Sequence, residues 1–149
     1  MSEHPKILMG SDHAGLALKR ELTEHLRARG FDVEDLGTND TAGVDYPDYA
    51  HLVAERVAEG SGLGILVCGT GIGMSIAANR HRGVRAALCA DTFSARMTRL
   101  HNDANVLCLG ARTLGVGLAL EVADAFLGTS FEGGRHARRV AKIEIEGEG

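Results

Sequence analysis

Tryptophan is absent, proline occurs twice and cysteine only three times in 149 residues. Cys68, Cys89 and Cys108 are odd in number and widely spaced in apolar contexts, which excludes a disulfide framework or a zinc ligand set and predicts reduced thiols. With no C-x-x-C present, a thiol redox cycle would lack its resolving partner. No H-x-x-x-H pair marks a metal site either. Only convergence in space of Asp12, His13, Cys68 and His101 would offer ligands, and no metal or organic cofactor is expected.

Excess positive charge is also missing, since 16 Lys and Arg stand against 20 Asp and Glu for a net charge of −4. That balance excludes a broad electrostatic footprint for nucleic acid or an anionic membrane surface. No apolar run approaches the ~20 residues of a membrane helix. None forms a signal segment after Met1-Ser2-Glu3-His4-Pro5-Lys6, so the expected address is the cytoplasm. Linkers and internal repeats are absent, and one domain over residues 1–149 is predicted.

Glycine is plentiful instead, at 20 of 149 residues, nearly twice the usual ~7%. Short apolar runs at Lys6–Gly10, Phe31–Leu36, Leu63–Cys68, Val84–Cys89 and Asn105–Leu109 read as five strands. Between them lie helical stretches: Leu18, Leu22 and Leu26 at i+4 spacing before Gly30, then Pro47 to Gly60, Ile72 to Asn79 and Thr92 to Leu100. A fifth, Val116 to Leu127, is apolar enough to lie deep in the protein or in an interface. Such alternation predicts an α/β fold: a three-layer αβα sandwich on a five-stranded parallel sheet, Rossmann-like. In such sheets ligands bind beyond the carboxyl ends of the strands.

Chemistry-bearing residues gather at those strand ends. The first strand ends in Gly10-Ser11-Asp12-His13-Ala14-Gly15, a carboxylate and an imidazole that can orient a hydroxyl and move a proton, or merely cap a helix. The third ends in Cys68-Gly69-Thr70-Gly71-Ile72-Gly73, a thiol before a helix, where it is a candidate base or nucleophile and the loop amides can face an oxyanion. Glycines 69, 71 and 73 with Asp91 imitate a dinucleotide fingerprint. The third glycine comes one residue early, however, and the loop does not open the first βαβ unit. His101, at the end of the fourth helix, suits a general acid, and Arg112 follows the fifth strand, where a guanidinium can hold an anion. In the basic tail Gly133 to Lys142, Arg135 and Arg139 share one face if the segment is helical, a repulsion that a bridging phosphate would relieve.

Taken in order, Ser11-Asp12-His13-Ala14-Gly15, Val44-Asp45-Tyr46-Pro47-Asp48-Tyr49, the Cys68 loop, His101-Asn102-Asp103-Ala104-Asn105 and Gly134-Arg135-His136 resemble the type B ribose-5-phosphate isomerase family over nearly the whole chain. The resemblance implies interconversion of ribose 5-phosphate and ribulose 5-phosphate through an enediol, without metal or cofactor. Cys68 would be the base at C2; family members with a glutamate base carry it at the position of Met74. His101 would open the sugar ring, Asp12 and Asn102 would contact the substrate, and the amides of Gly69, Gly71, Ile72 and Gly73 with Thr70 would stabilise the enediolate. His13, Arg112, Arg135 and Arg139 would hold the phosphate, the last two from a neighbouring subunit of a homodimer or tetramer through a tail of about residues 133–149. Asp45 and Tyr46 would lie near the site with no assigned role. Relatives acting on allose, galactose or tetrose phosphates share these motifs, and a non-catalytic nucleotide-binding module is the alternative of a different class.

Overall fold

Successive residues of a strand point to opposite sides of its sheet, and in this chain both sets are apolar. Ile7, Met9, Ile65, Val67, Leu107 and Leu109 face one side, Leu8, Leu66, Val106 and Cys108 the other, all fully buried. Strands of that kind need cover on both faces. The computed structural model describes residues 4–146; Met1 to Glu3, and the last three residues of the tail segment with Glu148, lie outside the described residues.

Strands β1 (Ile7–Ser11), β2 (Val33–Asp35), β3 (Leu63–Cys68), β4 (Ala86–Leu88) and β5 (Val106–Gly110) form one parallel sheet in the order β2-β1-β3-β5-β4. Helices α1 (Leu16–Ala28), α4 (Thr92–Asn102) and α5 (Val116–Leu127) contribute to the core on one face, α2 (Tyr46–Ala58) and α3 (Ile72–Ala78) to that on the other. A sixth helix, α6 (Arg135–Ala141), packs on α4. The expected three-layer αβα architecture is therefore the observed one. No helix among the described residues is long and apolar enough to cross a membrane.

Departures from the expected boundaries have local causes. β2 and β4 are edge strands of 3 residues each, shorter than their apolar runs because an edge strand has a neighbour on one side only. α4 continues past Leu100 because cationic side chains satisfy the carbonyls at its end. Arg85 Nε donates to Asn102 O at 3.1 Å and Asp103 O at 2.9 Å, and Arg99 donates to Ala104 O. α5 is not buried all round: Ala119, Val122, Ala123 and Phe126 are fully buried, whereas Val116 and Leu118 are exposed.

Candidate active site at the carboxyl edge of the sheet

A parallel sheet collects its strand ends on one edge, and the order observed sets β1, β3 and β5 side by side. Ser11 pairs with Val67 and Cys68 with Gly110, so the loops carrying Asp12, Cys68 and Arg112 leave the sheet as neighbours. The loops are also bonded to one another. Asp12 N–H donates to Val67 O at 3.2 Å, Ala111 N–H to Cys68 O at 2.8 Å and Arg112 N–H to Gly69 O at 2.9 Å.

Asp12 is buried, and its carboxylate accepts the Gly15 N–H at 3.0 Å. It braces the turn into α1 while remaining at the edge of the site. His13 is exposed, and its Nδ1 accepts the Val44 N–H at 3.1 Å. An imidazole that accepts at Nδ1 carries its proton on Nε2, so His13 can donate to an anion.

Cys68 is buried at the end of β3, and its Sγ receives the Gly71 N–H at 3.1 Å. That amide offers a hydrogen bond to negative charge on sulfur. Gly71 can make it because its φ is +80°, and an added Cβ would stand 2.9 Å from the Leu109 carbonyl carbon. The other two thiols are of a different kind. Burial, with Asp91 nearby, pushes Cys89 up to about 11, and burial pushes Cys108 up strongly; both stay protonated and inert.

Two of the loop amides have partners inside the chain: Gly71 N–H points to Sγ, and Ile72 N–H to Thr70 Oγ1 at 3.2 Å. Thr70 accepts in that contact, which leaves its own hydroxyl proton to donate. The Gly73 N–H lies in the first turn of α3, where no carbonyl one turn earlier belongs to the helix. Gly73 also lies tight against the Tyr46 ring, where an added Cβ would stand 2.4 Å from Cε1. Arg112 is exposed and its guanidinium lies over Gly69. Asp91, the acid of the imitated dinucleotide fingerprint, instead caps α4, accepting the Ser94 N–H at 2.6 Å. That contact holds its carboxyl below the usual range.

His101 and Asn102 are elsewhere. α4 starts after β4 at the carboxyl edge and runs back to the start of β5, and its 11 residues at ~1.5 Å each span roughly 16 Å. Both side chains therefore lie towards the amino edge, together with α6. They line a cleft of about 310 Å³ with His136, Arg139, Val140 and Ile143. The His101 ring stacks on that of His136 at 4.2 Å. Asp12, His13, Cys68 and His101 do not converge on a metal within one chain. The group of described residues that could hold an ion is His101, Glu132 and His136, with ligand atoms within 4.8 Å of one another. Glu132 lies in no motif, and His136 closes Gly134-Arg135-His136 with no role attached to it; the packing of α6 and of the loop before it on α4 brings the two to His101.

A doubly covered parallel sheet with a thiol, a carboxylate, a glycine-rich turn and a guanidinium on adjacent strand ends belongs to the class of α/β proteins that bind small anionic molecules at the carboxyl edge. Residues 7–143 match the ribose/galactose isomerase family, and the chain belongs to it. Ribose-5-phosphate isomerase B of Escherichia coli is 50% identical over 139 residues, covering 93% of each chain. Among solved structures, ribose 5-phosphate isomerase of Thermotoga maritima is 51% identical with a TM-score of 0.92, covering 95% of this chain and 98% of that one. Ribose-5-phosphate isomerase B of Mycoplasma genitalium, solved with ribulose-5-phosphate bound, is 48% identical with a TM-score of 0.90, covering 93% of each chain.

Proposed function

We propose that this protein interconverts D-ribose 5-phosphate and D-ribulose 5-phosphate in a cytoplasmic homodimer whose two sites are shared between subunits. The observation that carries the proposal is the meeting of Cys68, its Gly71 amide, Asp12 and Arg112 at one sheet edge. Its support from relatives is the ribulose-5-phosphate bound to the 48% identical Mycoplasma genitalium structure.

In this reading one subunit supplies Cys68, Asp12, His13, Thr70, the Gly69, Gly71, Ile72 and Gly73 segment, and Arg112. The second supplies His101, Asn102, Arg135 and Arg139, because the length of α4 keeps them from Cys68 of their own chain. Exposed apolar side chains at the carboxyl edge fit such a contact: Ile72 and Ile76 share a face of α3, and Leu88 and Phe93 flank the turn from β4 to α4. His101 protonates the ring oxygen as the C1–O4 bond breaks and the anomeric hydroxyl gives up its proton to solvent, which opens the furanose to the aldehyde. Cys68 thiolate then removes the C2 proton, and the electron pair moves to the C1 carbonyl oxygen to give an enediolate. Thr70 and the Gly73 amide hold that oxyanion. Transfer of the O2 proton to O1 and return of the proton from Cys68 to C1, as the electron pair at O2 forms the C2 carbonyl, complete the ketose. His13, Arg112, Arg135 and Arg139 hold the phosphate.

Purified protein assayed with ribose 5-phosphate, allose 6-phosphate and a four-carbon ketose phosphate tests this directly. The pentose phosphate is expected to turn over fastest, and Cys68→Ala to lower turnover by about 10²–10⁴ with the fold retained. Near-normal turnover in Cys68→Ala would contradict the mechanism, and activity on another sugar alone would change the substrate.

A further inference from the structure

The cleft between α4 and α6 contains a polar atom that the isomerase reading leaves without work. His136 is buried and its Nε2 has no hydrogen-bond partner, an arrangement that ordinarily costs stability. Two further ligand atoms stand next to it. Glu132 Oε2 lies 3.7 Å from His136 Nε2 and 3.9 Å from His101 Nε2, and the two imidazole planes are 15° from parallel. Glu132 is fixed there by its backbone, whose N–H donates to Leu100 O at the end of α4 at 3.2 Å, while its half-exposed side chain can swing.

We propose that His101, Glu132 and His136 form an inhibitory site for a borderline divalent cation such as Zn²⁺. Two imidazoles and one carboxylate are a ligand set that zinc accepts, with a fourth position left for water. Bond lengths of ~2.0–2.2 Å put the ligand atoms of a tetrahedral site roughly 3.3 Å apart, so the two carboxylate–imidazole pairs need to close by about half an ångström and the two imidazole nitrogens, which lie within 4.8 Å, by up to about 1.5 Å. An imidazole binds a metal in its own ring plane, so the half-buried His101 ring has to turn out of its stack on His136 while the Glu132 carboxylate swings inward. Arg135 and Arg139 oppose a further positive charge, which makes the Glu132 carboxylate decisive for retaining the cation.

Zinc held here ties up the His101 nitrogen needed for ring opening. This inhibitory consequence rests on the isomerase reading; the binding site does not. Competition of Zn²⁺ with a chromophoric chelator is expected to give one ion per chain in the wild type. Affinity should fall in Glu132→Gln and in His136→Gln by at least the ~10-fold typical of losing a supporting group around a metal. Glu132→Gln changes a half-exposed side chain and so answers the question even if His136→Gln does not fold. Cys68→Ser and His51→Asn should leave affinity unchanged, and the Co²⁺ protein should show no thiolate charge-transfer absorption. Added Zn²⁺ should stop isomerisation, a chelator should restore it, and the inhibiting concentration should rise in Glu132→Gln by the same factor as the binding constant. Binding that is absent, that is indifferent to Glu132→Gln, or that disappears in Cys68→Ser would overturn the site. Binding with the expected variant losses but no effect on turnover would keep the site and overturn the ring-opening role of His101.

Discussion

Mixing two inactive variants tests the shared site, because the chain separates its proposed base from its proposed acid. Cys68 ends β3 at the carboxyl edge, whereas His101 lies near the far end of an 11-residue helix that runs towards the other edge. That helix is roughly 16 Å long, while a general acid works within ~2.6–3.2 Å of the atom it protonates. If a site takes its base from one subunit and its acid from the other, a dimer of one Cys68→Ala and one His101→Asn subunit contains one site with both defects and one with none. Random reassociation of equal amounts makes half the dimers mixed, each with one of two sites intact, so about one quarter of wild-type activity is expected. Each variant alone should sit about 10²–10⁴ below wild type. The assay is turnover after denaturing and refolding the mixture, with mixed dimers isolated through two different affinity tags. Isolated mixed dimers no more active than their parents would refute the division of the site between subunits.

Gly71→Ala should cost about 1–2 kcal/mol from the left-handed backbone alone. Its methyl would also stand 2.9 Å from the Leu109 carbonyl carbon, and a loop displaced by that clash takes the amide away from Cys68 Sγ. Turnover should fall about 10²-fold together with the urea midpoint. Gly69→Ala, whose added Cβ meets nothing nearer than 3.5 Å, should spare the stability. Asp91→Ala removes the α4 cap and should lower the urea midpoint at neutral pH. The Asp91 carboxyl is held below its unfolded value by the Ser94 amide, so its contribution is complete above the ordinary carboxylate range and is lost as pH falls through the lower folded value. The gap between variant and wild type should therefore close in acid.

The layers, the five strands and the first five helices could be read from apolar periodicity and glycine stops, because each depends on residues close in sequence. The strand order could not. β5 enters between β3 and β4, and nothing in the period of either run records which neighbour it pairs with. The same distinction runs through the site. Asp12, the Cys68 loop and Arg112 were legible because strand ends in a parallel sheet share one edge. The separation of His101 from Cys68 depends on the direction of α4, which no motif spells out, and the partnership of His101 with Glu132 and His136 depends on α6 folding back onto α4. Asp91 shows the converse hazard, since its spacing imitated a ribose-binding acid and its contacts make it a helix cap.

The central claim is that a thiolate at position 68 moves a proton at C2 of a pentose phosphate, and the most direct measurement is NMR detection of deuterium incorporated from heavy water. Wild-type protein freed of metal by a chelator should place deuterium at C2 of ribose 5-phosphate and C1 of ribulose 5-phosphate during interconversion, and Cys68→Ala should do neither at a comparable rate. Exchange that continues unabated in Cys68→Ala, or no exchange by the wild-type protein, would contradict the account.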